Sequence, residues 1–258
     1  MTRSREDAVV ARLRAAGCVF AEDEARLLLA AAGSPAGLDV LVGRRVAGEP
    51  LEHLLGWAEF GGLRIAVAPG VFVPRRRTEL LVEEAVALAR PGAVVVDLCC
   101  GSGALGVAVA TAVGDVELHA ADVDPAAVAC AAGNVAGLGG RAYAGDLFGA
   151  LPSALRGRVD LLLANVPYVP SDQLALMPPE ARLHEARVAL DGGADGLDVA
   201  RRVIADAPAW LAPGGSMLFE TSEDQSPAAL AAVAAAGLAA RRVTDDDRGA
   251  TVVVGTLA

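Results

Sequence analysis

The chain carries Asn165-Val166-Pro167-Tyr168 directly after the apolar run Val159 to Ala164. That run is short, branched and bounded by polar residues, the pattern of a buried parallel strand. A strand ending in Asn-x-Pro-Tyr presents an amide oxygen, a stiff carbonyl and an aromatic face at the carboxyl edge of a sheet, where open α/β sheets bind ligands. Such a set suits holding a planar amino group still while a methyl group is delivered to it. Pro167 sets its own φ and pushes Val166 toward extended backbone, which directs the Val166 carbonyl.

A second constellation lies upstream. Val94 to Leu98 reads as a strand that passes through Asp97, Cys99 and Cys100 into Gly101-Ser102-Gly103 and then a helix. Glycines there let the backbone approach a ligand closely, and the helix start offers free N–H groups. Asp122 ends the next strand, where a carboxylate accepts hydrogen bonds from a ribose diol. Asp146 follows a third strand, with Leu147 and Phe148 placed to flank a purine. Gly101 to Gly106 matches the dinucleotide pattern G-x-G-x-x-G, a weak signal in a chain with 29 glycines. The early Asp97 and the spacing Asp-x-x-x-Gly-x-Gly favour S-adenosylmethionine, which has no pyrophosphate. A nicotinamide dinucleotide is the more distant alternative.

The surrounding pattern supplies the scaffold. Glu6–Ala16, Glu22–Ala32, Leu38–Ala47 and a short segment from Pro50 read as helices, giving a helical module over residues 1–56. Residues 57–74 read as a linker with a β-hairpin turning at Gly61-Gly62. Thr78 is the expected cap of a helix Glu79–Ala89. From there strands and helices alternate: strands at 94–98, 116–121, 141–144, 159–164 and 216–221, helices at 104–113, 125–135, 197–211 and 226–236. Strands 238–243 and 250–257 close the chain with no helix between them. This predicts an α/β fold over residues 75–258, a doubly wound, seven-stranded, mostly parallel sheet with an antiparallel C-terminal hairpin. Residues 169–196 are left as a long loop, a candidate lid or substrate wall.

Composition narrows the function. Hydrophobic residues make up 54% of 258, enough for a sizeable core. All 22 basic residues are arginine and the net charge is −10, which disfavours a protein that grips long stretches of nucleic acid. Cys18, Cys99, Cys100 and Cys130 have no zinc spacing and suit a reducing compartment. His53, His119 and His184 are not spaced as a metal site or a triad, and Ser102 lacks a nucleophile-elbow context. No signal segment or membrane span is expected, and the predicted location is cytoplasmic.

The chain resembles the HemK/PrmC family of protein-(glutamine-N5) methyltransferases. The matching residues are Glu49 to Gly56, Phe60 to Leu63, Val73-Pro74-Arg75, Thr78 to Val82, Asp97-Leu98, Gly101 to Ala104, Asn165 to Tyr168, Ala189 to Gly193, Asp195 to Leu197 and Leu211 to Gly215. Val166 stands where the family usually has proline, Cys99 where it has glycine, and Ala186 where it has proline. The helical module also looks shorter than is usual in the family. The resemblance implies a Rossmann-like class I methyltransferase fold with S-adenosylmethionine as cofactor. Its implied catalytic set is Asn165, Val166, Pro167 and Tyr168. The implied cofactor-binding set is Asp97, Cys99, Gly101, Ser102, Gly103, Asp122, Asp146, Leu147 and Asn165. The implied partner is a protein with an exposed glutamine; in the family this is the Gly-Gly-Gln loop of peptide chain release factors. Asn-x-Pro-Tyr alone also suits nucleic-acid adenine-N6 methylation, and a non-catalytic cofactor-binding protein is a further alternative.

Overall fold

The computed structural model describes residues 2–258, with side chains from Arg5 onward. Helices α1 (Thr2–Ala15), α2 (Ala21–Ala31), α3 (Pro35–Val46) and α4 (Leu51–Leu55) pack around Leu13, Leu28, Leu38 and Val42. Helix α3 starts before the expected Leu38, because the Ser34 hydroxyl accepts the Gly37 N–H at 3.0 Å and Pro35 occupies the first turn. A bidentate pair crosses this module. Arg45 Nε and Nη2 donate to the two Glu24 oxygens at 2.6 and 3.1 Å, with both side chains about nine-tenths buried.

The hairpin β1 (Trp57–Phe60) and β2 (Leu63–Ala66) turns at Gly61-Gly62, as expected. Its Phe60 and Ile65 enter the same core as α5 (Glu79–Leu88) and α6 (Ala104–Val113). Val67, Val71 and Val73 pack with Ala127 of α7 (Pro125–Ala136). The linker therefore shares the core of the sheet domain.

The main sheet contains β3 (Ala93–Leu98), β4 (Val116–Asp122), β5 (Arg141–Ala144), β6 (Val159–Ala164), β7 (Leu211–Glu220), β8 (Ala239–Asp245) and β9 (Ala250–Thr256). Their order is β5-β4-β3-β6-β7-β9-β8, with β9 antiparallel to both neighbours and the remaining pairs parallel. Strand alternation divides the core. Val94, Val96, Leu98, Leu162 and Ala164 face one layer, with α9 (Asp198–Asp206) and α10 (Ser226–Ala235) packed on it. Val95, Leu161 and Leu163 face the layer of α5 and α6. The order in which strands are added reverses between the parallel neighbours β3 and β6, which is the topological switch point where such sheets bind ligands.

Four local expectations change. The helix expected over 197–211 ends at Asp206, because Pro208 has no N–H to continue it and the chain tightens into a 3-10 turn. The strand expected from Ser216 already begins at Leu211; residues 212–215 form an irregularity opposite Asp160, allowed by Gly214 at φ 77°. Thr78 is not a cap: a 3-10 turn over Arg76–Thr78 precedes α5 and places Thr78 in helical backbone, with no capping hydrogen bond. Residues 169–196 are not one open loop. They hold 3-10 turns and a short helix α8 (Pro179–His184), started by Pro178-Pro179. Among the described residues no helix is long and apolar enough to cross a membrane.

Arg45 ties the helical module together and also reaches Glu180 of α8 at 3.4 Å. Arg45→Met would leave the Glu24 carboxylate buried alone, at an expected cost of about 3–5 kcal/mol in urea unfolding. Replacing both Arg45 and Glu24 by Met is expected to recover most of that loss.

Candidate active site

Leu98 pairs with Ala164 across β3 and β6. Parallel neighbours lie about 4.8 Å apart, so the loops starting at Cys99 and Asn165 leave the sheet side by side. They form the floor of a cleft of about 920 Å³. Phe72 and Pro74 of the linker, with Arg75 and Thr78 just after it, form one wall, and Met177, Val188 and Leu190 of the insertion form another.

The glycine turn is held from below. Gly103 donates its N–H to the Cys100 carbonyl at 2.7 Å, and Asn134 donates to the Ser102 carbonyl at 2.8 Å. Asp122 accepts the Gly101 N–H on one oxygen and the Asp124 N–H on the other, both at 2.9 Å. Its carboxylate lines the cleft, and burial pushes its pKa up against those two N–H groups. Cys99 takes φ 54°, the left-handed backbone that explains a glycine at this position elsewhere in the family. Burial, then Asp122 and Asp97, push its thiol up, so it stays neutral.

The second half of the cleft is the tetrapeptide. Asn165, Val166, Pro167 and Tyr168 all line it. The Val166 side chain is buried in the core, so an apolar group of similar breadth fills the place of the family's proline. Tyr168 donates its hydroxyl to Glu220 Oε1 at 2.7 Å and accepts from Arg77. The Asp191–Gly196 run is packed onto the tetrapeptide backbone. Gly192 donates to the Val169 carbonyl at 2.9 Å, Val169 donates to the Leu190 carbonyl at 3.1 Å, and Gln225 donates to the Tyr168 carbonyl at 2.9 Å. A Cβ on Gly192 would stand 2.6 Å from the Pro167 carbonyl oxygen, and one on Gly196 would collide with that of Tyr168.

Of the residues expected at the cofactor site, Cys99, Gly101, Ser102, Asp122 and Asn165 line the cleft. Gly103 lies behind the turn, with Ala131 3.3 Å from where its Cβ would be. Asp97 is fully buried, with Oδ2 accepting the Gly106 N–H at 2.9 Å and Oδ1 unpartnered. Asp146 is exposed and paired with Arg202, and Leu147 is packed in the core. Neither lines the cleft.

Several wall residues were given no site role from sequence. Thr78 is 2% exposed, lines the cleft and carries a hydroxyl without a partner. Arg75 is held by Glu185, whose Oε1 accepts from Arg75 at 2.6 Å and from the Val73 N–H at 3.2 Å. The Val73-Pro74-Arg75 run was a visible signal for this wall. Glu185 and Glu220, 110 and 143 residues from their arginine partners, had none.

The chain is similar to known methyltransferases. Residues 62–195 match the model of the methyltransferase small domain. A release factor glutamine methyltransferase from Geobacter sulfurreducens is 38% identical over 83% of this chain and 75% of its own. One from Cereibacter sphaeroides is 38% identical over 93% of this chain and 92% of its own. The chain belongs to the release factor glutamine methyltransferase family. A T. thermophilus 16S rRNA methyltransferase, solved with AdoMet and guanosine, shares the fold at 21% identity and TM-score 0.57, over 78% of this chain and 50% of that one.

As a member of this family, the protein is an S-adenosylmethionine-dependent methyltransferase, and the cleft fits that cofactor. Its turn is backed by Asp97, Asp122 and Asp124, while Arg75 and Arg77 are each paired with a buried glutamate. Such surroundings suit a sulfonium and an ammonium better than a pyrophosphate. The partnerless Thr78 hydroxyl offers a ligand one further hydrogen bond.

Two outcomes follow from this geometry. Gly192→Ala is expected to cost about 1–3 kcal/mol in thermal unfolding, because the Pro167 and Gly196 carbonyls must move, and to reduce methyl transfer with it. Burial pushes the Asp97 pKa up to about 8, with the Gly106 N–H opposing. The folded state therefore holds a proton that the unfolded chain releases near pH 4. The contribution of Asp97 to stability is complete below that pH and is lost as pH rises toward 8. Denaturant titrations of the ligand-free protein across this window should show the decline, and Asp97→Asn should flatten it.

Proposed function

We propose that this protein transfers a methyl group from S-adenosylmethionine to the side-chain amide nitrogen of a glutamine in a peptide chain release factor, and that Asn165 and the Val166 carbonyl hold that amide. The observation that carries this reading is the open end of β6. Among the described residues neither the Asn165 carboxamide nor the Val166 carbonyl is engaged in a hydrogen bond, and both residues line the cleft beside the glycine turn.

An amide nitrogen is a poor nucleophile because its lone pair is delocalised into the carbonyl. Bound S-adenosylmethionine supplies an electrophilic methyl carbon on a sulfonium. The protein's share is orientation. The Asn165 side-chain oxygen and the Val166 carbonyl each accept one N–H of the target amide, which aims the nitrogen lone pair along the cleft. As positive charge develops on nitrogen, the same two acceptors bind it more strongly, so their effect is larger in the transition state than in the ground state. One of the two N–H protons then passes to solvent at the cleft mouth, leaving a neutral N-methyl amide and a neutral thioether. Pro167 holds the Val166 carbonyl in line, and the Gly192–Gly196 backbone supports it from outside. The Tyr168 ring covers the flat face of the amide and excludes water.

For the cofactor, the assigned holders are the 99–103 turn, Asp122 for the ribose diol and Thr78 for a polar end of the ligand. Asp97 acts from behind, through its bond to Gly106, which fixes the start of α6. Relatives at 38% identity that are named for release factor glutamine methylation support the choice of substrate.

The test is incubation of the full chain with labelled S-adenosylmethionine and a purified release factor, with mass spectrometry of the modified residue. The label is expected on glutamine; label on adenine of added nucleic acid, or no transfer at all, would overturn the reading. Asn165→Ala should lower transfer on the order of 100-fold while cofactor binding by calorimetry persists.

A further inference from the structure

We propose that Glu220 and Arg77 are positioning residues for methyl transfer, which together lock the ring of Tyr168 in the plane that the target amide lies against. This rests on the role given to Tyr168 above.

The three side chains form a closed triangle. Glu220 is the last residue of β7, the strand beside β6, and is 2% exposed. Its Oε1 accepts the Tyr168 hydroxyl at 2.7 Å and Arg77 Nε at 2.9 Å. Arg77 Nη2 donates to the phenol oxygen, completing the third side, and the guanidinium carbon stands 5.7 Å from the ring centroid. Glu220 Oε2 is buried without a partner, so the whole of this buried carboxylate's hydrogen bonding goes to Arg77 and Tyr168.

Covering an amide with an aromatic ring requires only a hydrophobic wall. Here the wall is fixed at both ends. The Tyr168 carbonyl is bonded to Gln225, and the phenol tip is held by two charge-assisted contacts from other parts of the chain. A tyrosine side chain turns about two bonds, so pinning the backbone and the tip leaves the ring plane little freedom. Burial, and then the Glu220 charge, push the phenol pKa up, which keeps the hydroxyl a donor to Glu220. Arg77 joins the network from the 3-10 turn that follows the linker, 91 residues away from Tyr168, so the wall segment and the tetrapeptide share one anchor.

The chain has two tyrosines. In a Tyr143→Phe background, ultraviolet difference absorbance therefore follows the ionisation of Tyr168 alone. Glu220→Gln is expected to lower kcat on the order of 10- to 100-fold with S-adenosylmethionine affinity unchanged, and to move the phenol titration to lower pH. Arg77→Gln, altering a half-exposed guanidinium, is expected to lower kcat similarly while moving the titration to higher pH. Opposite titration shifts with one kinetic consequence are what a shared anchor produces and general loosening does not. Wild-type kcat in either variant, parallel loss of cofactor affinity, or shifts of the same sign would overturn the inference. If Glu220→Gln does not fold, Arg77→Gln decides by the same measures. If the parent methylates no release factor glutamine, the substrate reading fails, and the titration pair alone judges the triangle.

Discussion

The register of two neighbouring strands governs this molecule. Leu98 opposite Ala164 brings the cofactor turn and the tetrapeptide out of the sheet next to each other. Both strands are buried on both faces, with Val95, Val96, Leu162 and Leu163 fully covered. A slip of one residue would turn every side chain to the opposite layer and put Asp97 among the residues that pack against Val203 and Trp210. The packing of the two central strands on both faces thus sets the spacing between the glycine turn and the tetrapeptide. On the proposed reading, the distance between donor and acceptor is a by-product of core packing.

Around that floor, each wall is fastened by a buried acid. Asp97 holds the start of α6 at Gly106, and Asp122 holds the turn at Gly101. Glu185 holds the linker at Val73 and Arg75, and Glu220 holds Arg77 and Tyr168. Burying a carboxylate is costly unless its oxygens are bonded, so the fastenings persist only in the fully assembled fold. Three of these four acids keep one buried oxygen without a partner. Glu185 and Glu220 are each balanced by an arginine, and burial raises the pKa of Asp97 and Asp122, so the assembled walls carry little uncompensated charge.

Much of this was legible along the chain because it is local. The tetrapeptide follows a run that reads as a strand at any window size, and the glycine turn joins a strand to a helix within ten residues. The misreadings also have local causes. Ser34-Pro35 is a start signal, but the apolar periodicity that set the boundary at Leu38 begins later. The sequence leaves Pro178-Pro179 inside a loop and starts the next strand only after Pro213-Gly214-Gly215, yet proline is at home in a first helical turn and glycine permits an irregular strand. What stayed hidden is long-range. Glu185 and Glu220 look like ordinary surface acids in sequence, and only the sheet and the insertion bring them to Arg75 and Arg77. Thr78 reads as a cap until the preceding 3-10 turn moves the helical start back, leaving its hydroxyl for the cleft.

The packing of Gly192 and Gly196 against the Pro167 and Tyr168 carbonyls also bears on where the length of this chain is free to vary. Val169 and Ser171 are bonded to the backbone of Leu190 to Gly193, and Gly192 and Gly196 pack on the Pro167 and Tyr168 carbonyls, so adding or deleting one residue in either segment would shift the tetrapeptide. Glu185 and Ala186 are likewise tied to Val73 and Gly70. Between these fixed points, around Asp172 to Leu176, the chain crosses the surface and Leu176 is 83% exposed. Within this insertion, that short span is therefore where added residues would leave the fastened backbone on either side undisturbed.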